Sequence, residues 1–183
     1  MKRINSINFS YVYKHLEKPT KDYILKEYMK HYEQRISKSQ YEVIYKKMSI
    51  LMKQKDTNAF FVSYNEKKQI IGAISITKYD NRILSLKNRY MNKDIAEIGR
   101  CYVDEKYRRC GVGSRLLNLA IAFAEKNNYE KMYLHTHYFL PGGYNFWSKK
   151  GFKITLDEKN KMPTVHMERE LENNTNKYNI QMV

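Results

Sequence analysis

The fold is decided by Ile95-Ala-Glu-Ile-Gly-Arg-Cys-Tyr-Val103, followed by Arg108-Arg-Cys-Gly-Val-Gly-Ser114 and Arg115-Leu-Leu-Asn-Leu-Ala-Ile-Ala-Phe-Ala-Glu-Lys126. The first segment alternates and is rich in β-forming residues, which predicts a strand with at least one buried face. In the third, apolar residues recur at helical spacing before Asn127-Asn128, which is typical of a helix and its end. The expected order is therefore strand, turn and helix.

The turn between this strand and this helix has the chemistry of an anion site. Gly111 and Gly113 let the backbone bend sharply and approach a ligand, because glycine has no Cβ. The first turn of the helix then offers unpaired N–H groups and the positive end of its dipole, and Arg108 and Arg109 add charge. A pyrophosphate cradle is one interpretation, and an ordinary turn that merely needs glycine is the other.

The order of the motifs resembles that of the GNAT superfamily of acyl-CoA-dependent N-acyltransferases. Arg108-x-x-Gly111-x-Gly113 is similar to the superfamily's Q/R-x-x-G-x-G/A signature, and Gly143-Tyr-Asn-Phe-Trp-Ser-Lys-Lys-Gly-Phe152 resembles its A-x-x-F-Y-x-K-x-G-F segment. The resemblance covers roughly residues 58–171. It is not the Walker loop, since no Gly-Lys-Ser/Thr follows, nor the dinucleotide fingerprint, which needs a third glycine.

The resemblance implies an α/β fold: a mixed, mostly antiparallel sheet of six or seven strands with helices on both faces. A chain of 183 residues suits one core, so a single domain over residues 1–171 and a polar tail over 172–183 are expected. The co-substrate implied is acetyl-CoA, without a metal. The residues implied to bind it are Cys101, Tyr102, Val103, Arg108, Arg109, Cys110, Gly111, Val112, Gly113 and Ser114.

Glu97 is the best candidate for the general base that takes the proton of an acceptor amine. Its position on the strand resembles that of the strand glutamate in histone-acetylating members of the superfamily. A carboxylate that is partly shielded from water can have its pKa raised towards neutrality, which suits this role. The alternative is a structural ion pair between Glu97 and a neighbouring arginine or lysine.

The proton donor to the leaving thiolate departs from the superfamily's pattern. The tyrosine of F-Y-x-K-x-G-F is replaced by Trp147, and indole is not a useful acid. Tyr144, one helical turn earlier, is the preferred substitute. Tyr138, water or unassisted departure of the thiolate stay open.

The first part of the chain is expected to form a strand and two helices. Residues 4–13 alternate weakly, which suits an edge strand. Pro19-Thr20 is typical of a helix start, and the spacing of Ser39 and Glu42 predicts a capping box at the start of a second helix.

Two strands and an irregular segment are predicted next. Asn58–Tyr64 and Gln69–Tyr79 are rich in Phe, Val and Ile, and the polar residues 65–68 between them indicate a hairpin. Residues 80–93 show no clean period, which predicts a loop or a short irregular insertion. Long loops inside compact domains often have functions, so this segment is a candidate wall of the acceptor pocket.

The last part of the chain is expected to alternate strands with one short helix. Residues 131–138 form a strand in which His135 and His137 share a face with Tyr133. No third ligand supports a metal site, and proton handling or substrate orientation by one histidine is favoured. A helix from about Tyr144 to Lys150 should stop at Gly151. A hairpin of residues 152–155 and 164–171 closes the fold.

The composition of the chain indicates its cellular compartment and the charge of its partners. With 34 Lys and Arg against 19 Asp and Glu, the net charge of +15 favours anionic partners, although lysine-rich composition on a solvated surface explains it as well. The alternative function is therefore an RNA- or polyanion-binding protein that keeps the GNAT fold without catalysis. Two cysteines, no signal peptide and no long apolar run predict a soluble, cytoplasmic protein without a membrane partner. A homodimer stays open.

Overall fold

The structure is a computed structural model, and it describes residues 7–32, 37–53 and 55–171. Residues 4–6 of the predicted first strand and the predicted tail lie outside this range. The elements are β1 (Asn8–Tyr11), α1 (Lys14–Tyr32), α2 (Lys38–Leu51), β2 (Asn58–Tyr64), β3 (Ile70–Lys78), α3 (Lys87–Tyr90), β4 (Ile95–Val103), α4 (Val112–Lys126), β5 (Lys131–His137), α5 (Gly143–Lys149), β6 (Lys153–Asp157) and β7 (Thr164–Glu170).

The strands form one seven-stranded sheet in the order β1-β2-β3-β4-β5-β7-β6. β4 and β5 are parallel, whereas the pairs β1–β2, β2–β3, β5–β7 and β6–β7 are antiparallel. The predicted mixed, mostly antiparallel sheet is confirmed, with seven strands. The parallel pair is possible because the connection between β4 and β5 contains α4, and a parallel pair requires such a crossover.

The chain divides into two compact units, and β4 and α4 each contribute residues to both. The first unit consists of the described residues of Met1–Thr77 together with Ile98–Ala120. The second consists of Lys78–Glu97 and the described residues from Ile121 onward. The single domain expected from chain length stays a prediction.

In the first unit, α1 and α2 pack on β2 and β3. Their buried apolar residues form one cluster, and partly buried side chains such as Leu16, Tyr41 and Ile44 pack against it. The buried members of the cluster are Val12, Ile24, Leu25, Met48, Met52, Phe60, Val62, Ile70 and Ala73.

The predicted start of α1 at Pro19-Thr20 is wrong, because the helix begins at Lys14 and contains Pro19. A proline inside a helix removes one backbone hydrogen bond and disfavours the turn before it. Here the apolar face already begins at Leu16 and continues through Ile24, and both side chains pack in the same cluster. Burial of that face outweighs the local cost of the proline.

The predicted capping box of α2 is wrong by two residues. Ser37, not Ser39, is the N-cap: its Oγ accepts a hydrogen bond from the Gln40 N–H at 3.3 Å, and the Gln40 side chain accepts one from the Ser37 N–H at 2.7 Å. Both serines have a Glu or Gln three residues later, so the sequence offers two boxes. The structure uses the earlier one, so the helix begins two residues before the predicted start.

The hairpin of β2 and β3 is confirmed. Its turn is held by Asn65, whose Oδ1 accepts from the Gln69 N–H at 3.0 Å and whose carbonyl accepts from the Lys68 N–H at 2.9 Å. Nearly all residues of both strands are buried, as expected for β-branched and aromatic runs in the middle of a sheet.

The prediction of an irregular segment over residues 80–93 is partly wrong, because two side chains of this segment pack in the tyrosine-rich core of the second unit. The segment contains a 3₁₀ turn at Leu84–Leu86 followed by α3. Leu86 and Tyr90, four residues apart, are both buried in a cluster with Tyr79, Ile95 and Tyr133. The two buried side chains fix one helical turn that no periodicity in the sequence shows.

Candidate active site

The turn between β4 and α4 contains the residues predicted to cradle a pyrophosphate. Arg109 and Gly111 have left-handed φ values of +59° and +80°, a conformation that glycine adopts easily and arginine does not. Helix α4 begins at Val112, and the Arg115 N–H donates to the Gly111 carbonyl at 3.0 Å. The N–H groups of Val112–Ser114 precede this bond, so they have no acceptor within the helix and can bind an anion.

The two arginines of the turn lie in different environments. Arg108 is half-buried, and its Nε donates to the Val103 carbonyl at 3.2 Å. Arg109 is exposed to solvent. Arg108 therefore links the turn to the end of β4. Arg109 is the more accessible of the two arginines to an anion in solution.

The end of β4 predicted to pair with the coenzyme has an irregular backbone and half-buried side chains. Arg100 has a left-handed φ of +47° within the strand, a conformation that is uncommon outside glycine and frequently marks functional sites. Tyr102 packs on the core of the first unit. Burial raises the pKa of the Cys101 thiol to about 12, so this thiol stays protonated at neutral pH.

In the second unit, Glu97 is held by an arginine that the sequence did not single out. The guanidinium of Arg82 donates from Nη1 to Glu97 Oε2 at 2.7 Å and from Nη2 to Oε1 at 2.5 Å. The Glu97 side chain is only 9% exposed. Hydrogen bonds to Glu97 raise the pKa of Arg82 above its usual range, and the hydrogen bond to Asp80 adds to this effect. The structure thus contains the ion pair that was the alternative interpretation of Glu97.

Two histidines, His135 and His166, lie on the same face of the sheet as Glu97. His135 Nδ1 lies 3.8 Å from Glu97 Oε1, and His135 is paired with His166 across β5 and β7. His166 is buried, with Nδ1 at 2.7 Å from the Tyr133 hydroxyl and Nε2 at 3.0 Å from Glu158 Oε1. Tyr133 and Glu97 are themselves paired across β4 and β5, so these side chains share one face of the sheet.

Tyr144 lies at the start of α5 and is half-buried, with its ring 5.3 Å from that of Tyr138. The Tyr138 hydroxyl donates to Asp157 Oδ2 at 3.0 Å. Burial and this hydrogen bond raise the pKa of Tyr138. Trp147 is buried and packs edge-on against Phe146 and Phe152, so it serves the core.

The part of the chain that the structure describes contains neither a metal-binding cluster nor a membrane-spanning helix. No group of three or more His, Cys, Asp or Glu side chains there could hold a metal ion. Among the same residues, no helix has the length and apolar character needed to cross a membrane. Cys101 and Cys110 are both free thiols.

The sequence model of the acetyltransferase (GNAT) family matches residues 21–152, which is well over half of the chain. The chain belongs to the GNAT family. The match includes the Arg108–Ser114 turn, Glu97 and Tyr144, so the resemblance inferred from the motifs is confirmed. No curated protein is significantly similar to this GNAT chain in sequence.

Solved structures with the same fold include several acetyltransferases. A GNAT-family acetyltransferase from Staphylococcus aureus Mu50 has a TM-score of 0.71 at 18% identity, covering 91% of this chain and 99% of that one. The PaiA N-acetyltransferase from Thermoplasma acidophilum, in complex with coenzyme A, has a TM-score of 0.66 at 19% identity, covering 90% and 99%. FeeM, an N-acyl amino acid synthase from uncultured soil microbes, has a TM-score of 0.63 at 15% identity, covering 90% and 91%.

The predicted site residues of this GNAT protein fall into two groups. The residues from Cys101 to Ser114 belong to the first unit, and Glu97 and Tyr144 belong to the second. Sequence reasoning missed Arg82 and His166. For Arg82, the available signal was its position in the segment already considered as a pocket wall. For His166, the alternation of residues 164–171 placed it on a strand but gave no partner.

Proposed function

We propose that this protein transfers an acetyl group from acetyl-CoA to a primary amine by direct transfer. Membership of the GNAT family supports acyl-CoA chemistry. The observation that carries the proposal is the turn at Arg109–Gly111, whose left-handed backbone leads directly into the start of α4. The polyanion-binding alternative receives no comparable support.

The coenzyme site is assigned to the turn residues Arg108–Ser114, because their chemistry fits a diphosphate. The N–H groups of the first turn of α4, the helix dipole and exposed Arg109 together favour a doubly charged anion. The related PaiA structure contains coenzyme A, which supports the same ligand class here. When bound, acetyl-CoA supplies the activated thioester.

Residues Cys101–Val103 are assigned to the pantetheine arm through their backbone. The left-handed Arg100 turns the local backbone away from regular strand geometry, which supports a role for nearby N–H groups in stabilising charge on the thioester oxygen. The protonated Cys101 thiol is a poor nucleophile. This supports transfer to the amine without a cysteine-bound acyl group.

Glu97 is assigned to the path by which the acceptor amine loses its proton. Tyr144 is assigned to protonation of the departing thiolate. Glu97 is a buried carboxylate on the strand that also carries the coenzyme residues. Tyr144 is favoured over Tyr138, whose hydroxyl is engaged by Asp157. The names of PaiA and FeeM, an N-acetyltransferase and an N-acyl amino acid synthase, support nitrogen as the acceptor atom.

The activity is tested by the amine-dependent release of free thiol from acetyl-CoA. The amines are spermidine, glycine, phenethylamine, kanamycin and a lysine-containing peptide, and mass spectrometry identifies the acetylated product. We expect thiol release and a mass increase of one acetyl group with at least one amine. Binding of acetyl-CoA without transfer to any of these amines would contradict the assignment to an amine acetyltransferase of these classes.

The coenzyme site is tested separately by calorimetric titration with acetyl-CoA. We expect Gly111→Asp to weaken binding at least about tenfold, because aspartate is strained at positive φ and repels the diphosphate. Gly151→Asp is the matched control, since Gly151 has φ +82° but belongs to the turn after α5. Equal loss of affinity in both variants, or no loss in either, would remove the assignment of the turn.

A further inference from the structure

Glu97 is already engaged by a charged partner. Both of its carboxylate oxygens accept hydrogen bonds from Arg82, and its side chain is 9% exposed. Such a bidentate pair orders both groups. Arg82 also pairs with Asp80 at 2.8 Å, and its own side chain is 44% exposed. Because both Glu97 oxygens are occupied and the side chain is buried, an acceptor amine reaches an exposed neighbour more easily than Glu97 itself.

His135 is the titratable neighbour that can receive a proton beside this carboxylate. Its Nδ1 lies 3.8 Å from Glu97 Oε1, which is an ion-pair distance but longer than a hydrogen bond. Its side chain is 39% exposed, so a soluble amine can reach it. Along β5, His135 lies two residues beyond Tyr133, and Tyr133 pairs with Glu97 in the parallel ladder. His135 and Tyr133 therefore lie on the same face.

The groups around His135 determine how it responds to protonation. Glu97 attracts a positive charge on His135, and Arg82 repels it. The charge of Arg82 is itself paired with the carboxylates of Asp80 and Glu97. His166 faces His135 across β7 with ring centroids 6.1 Å apart, and His137 on the same strand is 6.2 Å away.

The other two imidazoles are buried. His166 lies 2.7 Å from the Tyr133 hydroxyl and 3.0 Å from a Glu158 oxygen, and it is 2% exposed. His137 Nδ1 lies 3.2 Å from Thr164 Oγ1, and its ring stacks on Phe139. His135 is therefore the histidine of this face that combines exposure with a carboxylate neighbour.

We propose that His135 is the catalytic residue that takes the proton of the acceptor amine, and that Glu97, fixed by Arg82, stabilises the resulting imidazolium. This proposal rests on the proposed function and names the proton acceptor within it. With the ring hydrogen on Nδ1, facing Glu97, the lone pair of Nε2 takes the amine proton. The amine nitrogen forms a bond to the acyl carbon, and the carbon–sulfur bond breaks with its electron pair remaining on sulfur. The imidazolium then returns the proton to water.

The experiment measures kcat and KM for acetyl-CoA across pH 5–9 for the wild type, His135→Gln, Glu97→Gln and His137→Gln, with the best amine of the panel above. The wild type should gain rate with pH through one ionisation, that of the imidazole. In His135→Gln this ionisation should disappear, kcat should fall by about 10²–10⁴-fold, and the KM for acetyl-CoA should stay unchanged. His137→Gln, on the same strand, should keep the ionisation.

Glu97→Gln distinguishes a proton acceptor from a stabilising neighbour. Without the carboxylate the imidazolium loses an attractive charge, so the ionisation should remain but move to lower pH. A profile that survives His135→Gln and disappears in Glu97→Gln would overturn the proposal and make Glu97 the base. An active wild type with unchanged His135→Gln would overturn the proposal alone, whereas a wild type that transfers to no amine would overturn the proposed function as well.

A second measurement does not depend on folding of the His135 variant. Imidazole NMR resonances of the wild-type protein report the pKa of His135 directly, and those of Glu97→Gln report it without the carboxylate. We expect a lower pKa for His135 in Glu97→Gln than in the wild type. Equal values would contradict the stabilising role assigned to Glu97.

Discussion

At the scale of single residues, the Glu168 carboxylate on β7 contacts three polar side chains of the second unit. Arg89 donates to both of its oxygens at 2.9 and 2.7 Å, the Tyr90 hydroxyl donates at 2.8 Å, and Lys131 lies 3.2 Å away. The hydrogen bond from Arg89 is the main cause that lowers the pKa of Glu168, to about 2. The carboxylate thus ties α3 and β5 to β7.

Glu168→Gln should lower the free energy of unfolding by about 1–2 kcal/mol at neutral pH, since Arg89 is partly exposed and solvent weakens the pair. The folded-state pKa lies below the ordinary value of 4.5. The stabilisation is therefore complete above about pH 4.5 and is lost as the pH falls through about 2. Urea unfolding of wild type and variant at several pH values measures this difference directly.

Glu170→Gln is the matched control for Glu168→Gln. Glu170 is on the same strand and contacts Lys131 at 2.6 Å, but its side chain is 71% exposed, against 11% for Glu168. Exposed ion pairs contribute little, so this variant should differ from the wild type by less than about 0.5 kcal/mol. A larger effect at Glu170 than at Glu168 would show that burial does not determine the contribution of these carboxylates.

The Arg82–Glu97 pair shows why part of the site could not be predicted at this scale. The sequence identified Glu97 as a strand carboxylate and offered an ion pair with an unnamed cation as the alternative. Arg82 lies fifteen residues earlier in a segment without periodicity, among several other cations. Nothing in spacing or composition selects it, because the pairing depends on how Leu86 and Tyr90 anchor that segment.

At the scale of elements, α2 provides a test of which serine starts the helix. Ser37→Ala should cost about 1 kcal/mol of stability, because the Gln40 N–H loses its acceptor. Ser39→Ala should be nearly neutral, since Ser39 is exposed within the first helical turn. Thermal unfolding of the two variants separates the interpretations. A larger loss at Ser39 would support the capping box that the sequence suggested.

Elements with strong local signals were predictable, and elements set by packing were not. The β-rich runs of β2, β3 and β4 gave their positions to within one residue, and the periodicity of α4 gave its end at Lys126 but placed its start three residues late. The start of α1 was wrong because Pro19 is a strong local signal that burial of Leu16 and Ile24 overrides. The short helix α3 was missed, since a single turn has no period to detect.

At the scale of the whole molecule, the sheet combines the parallel crossover between β4 and β5 with the antiparallel pairs β1–β2, β2–β3, β5–β7 and β6–β7. This crossover places the glycine-containing turn between β4 and the start of α4. A sheet of six or seven strands was predictable because two motifs of the GNAT family appear in the right order. The net charge of +15 is compatible with an anionic co-substrate, but composition alone does not name that co-substrate.

The central claim is that backbone N–H groups at the start of α4 bind the diphosphate of acetyl-CoA. The most direct measurement is a titration of ¹⁵N-labelled protein with acetyl-CoA, followed through the amide resonances of Val112, Gly113 and Ser114. We predict large saturating shifts at these three amides, with slowed hydrogen exchange, and little change at the start of α5. Saturable binding that leaves the three amides unchanged would contradict the account.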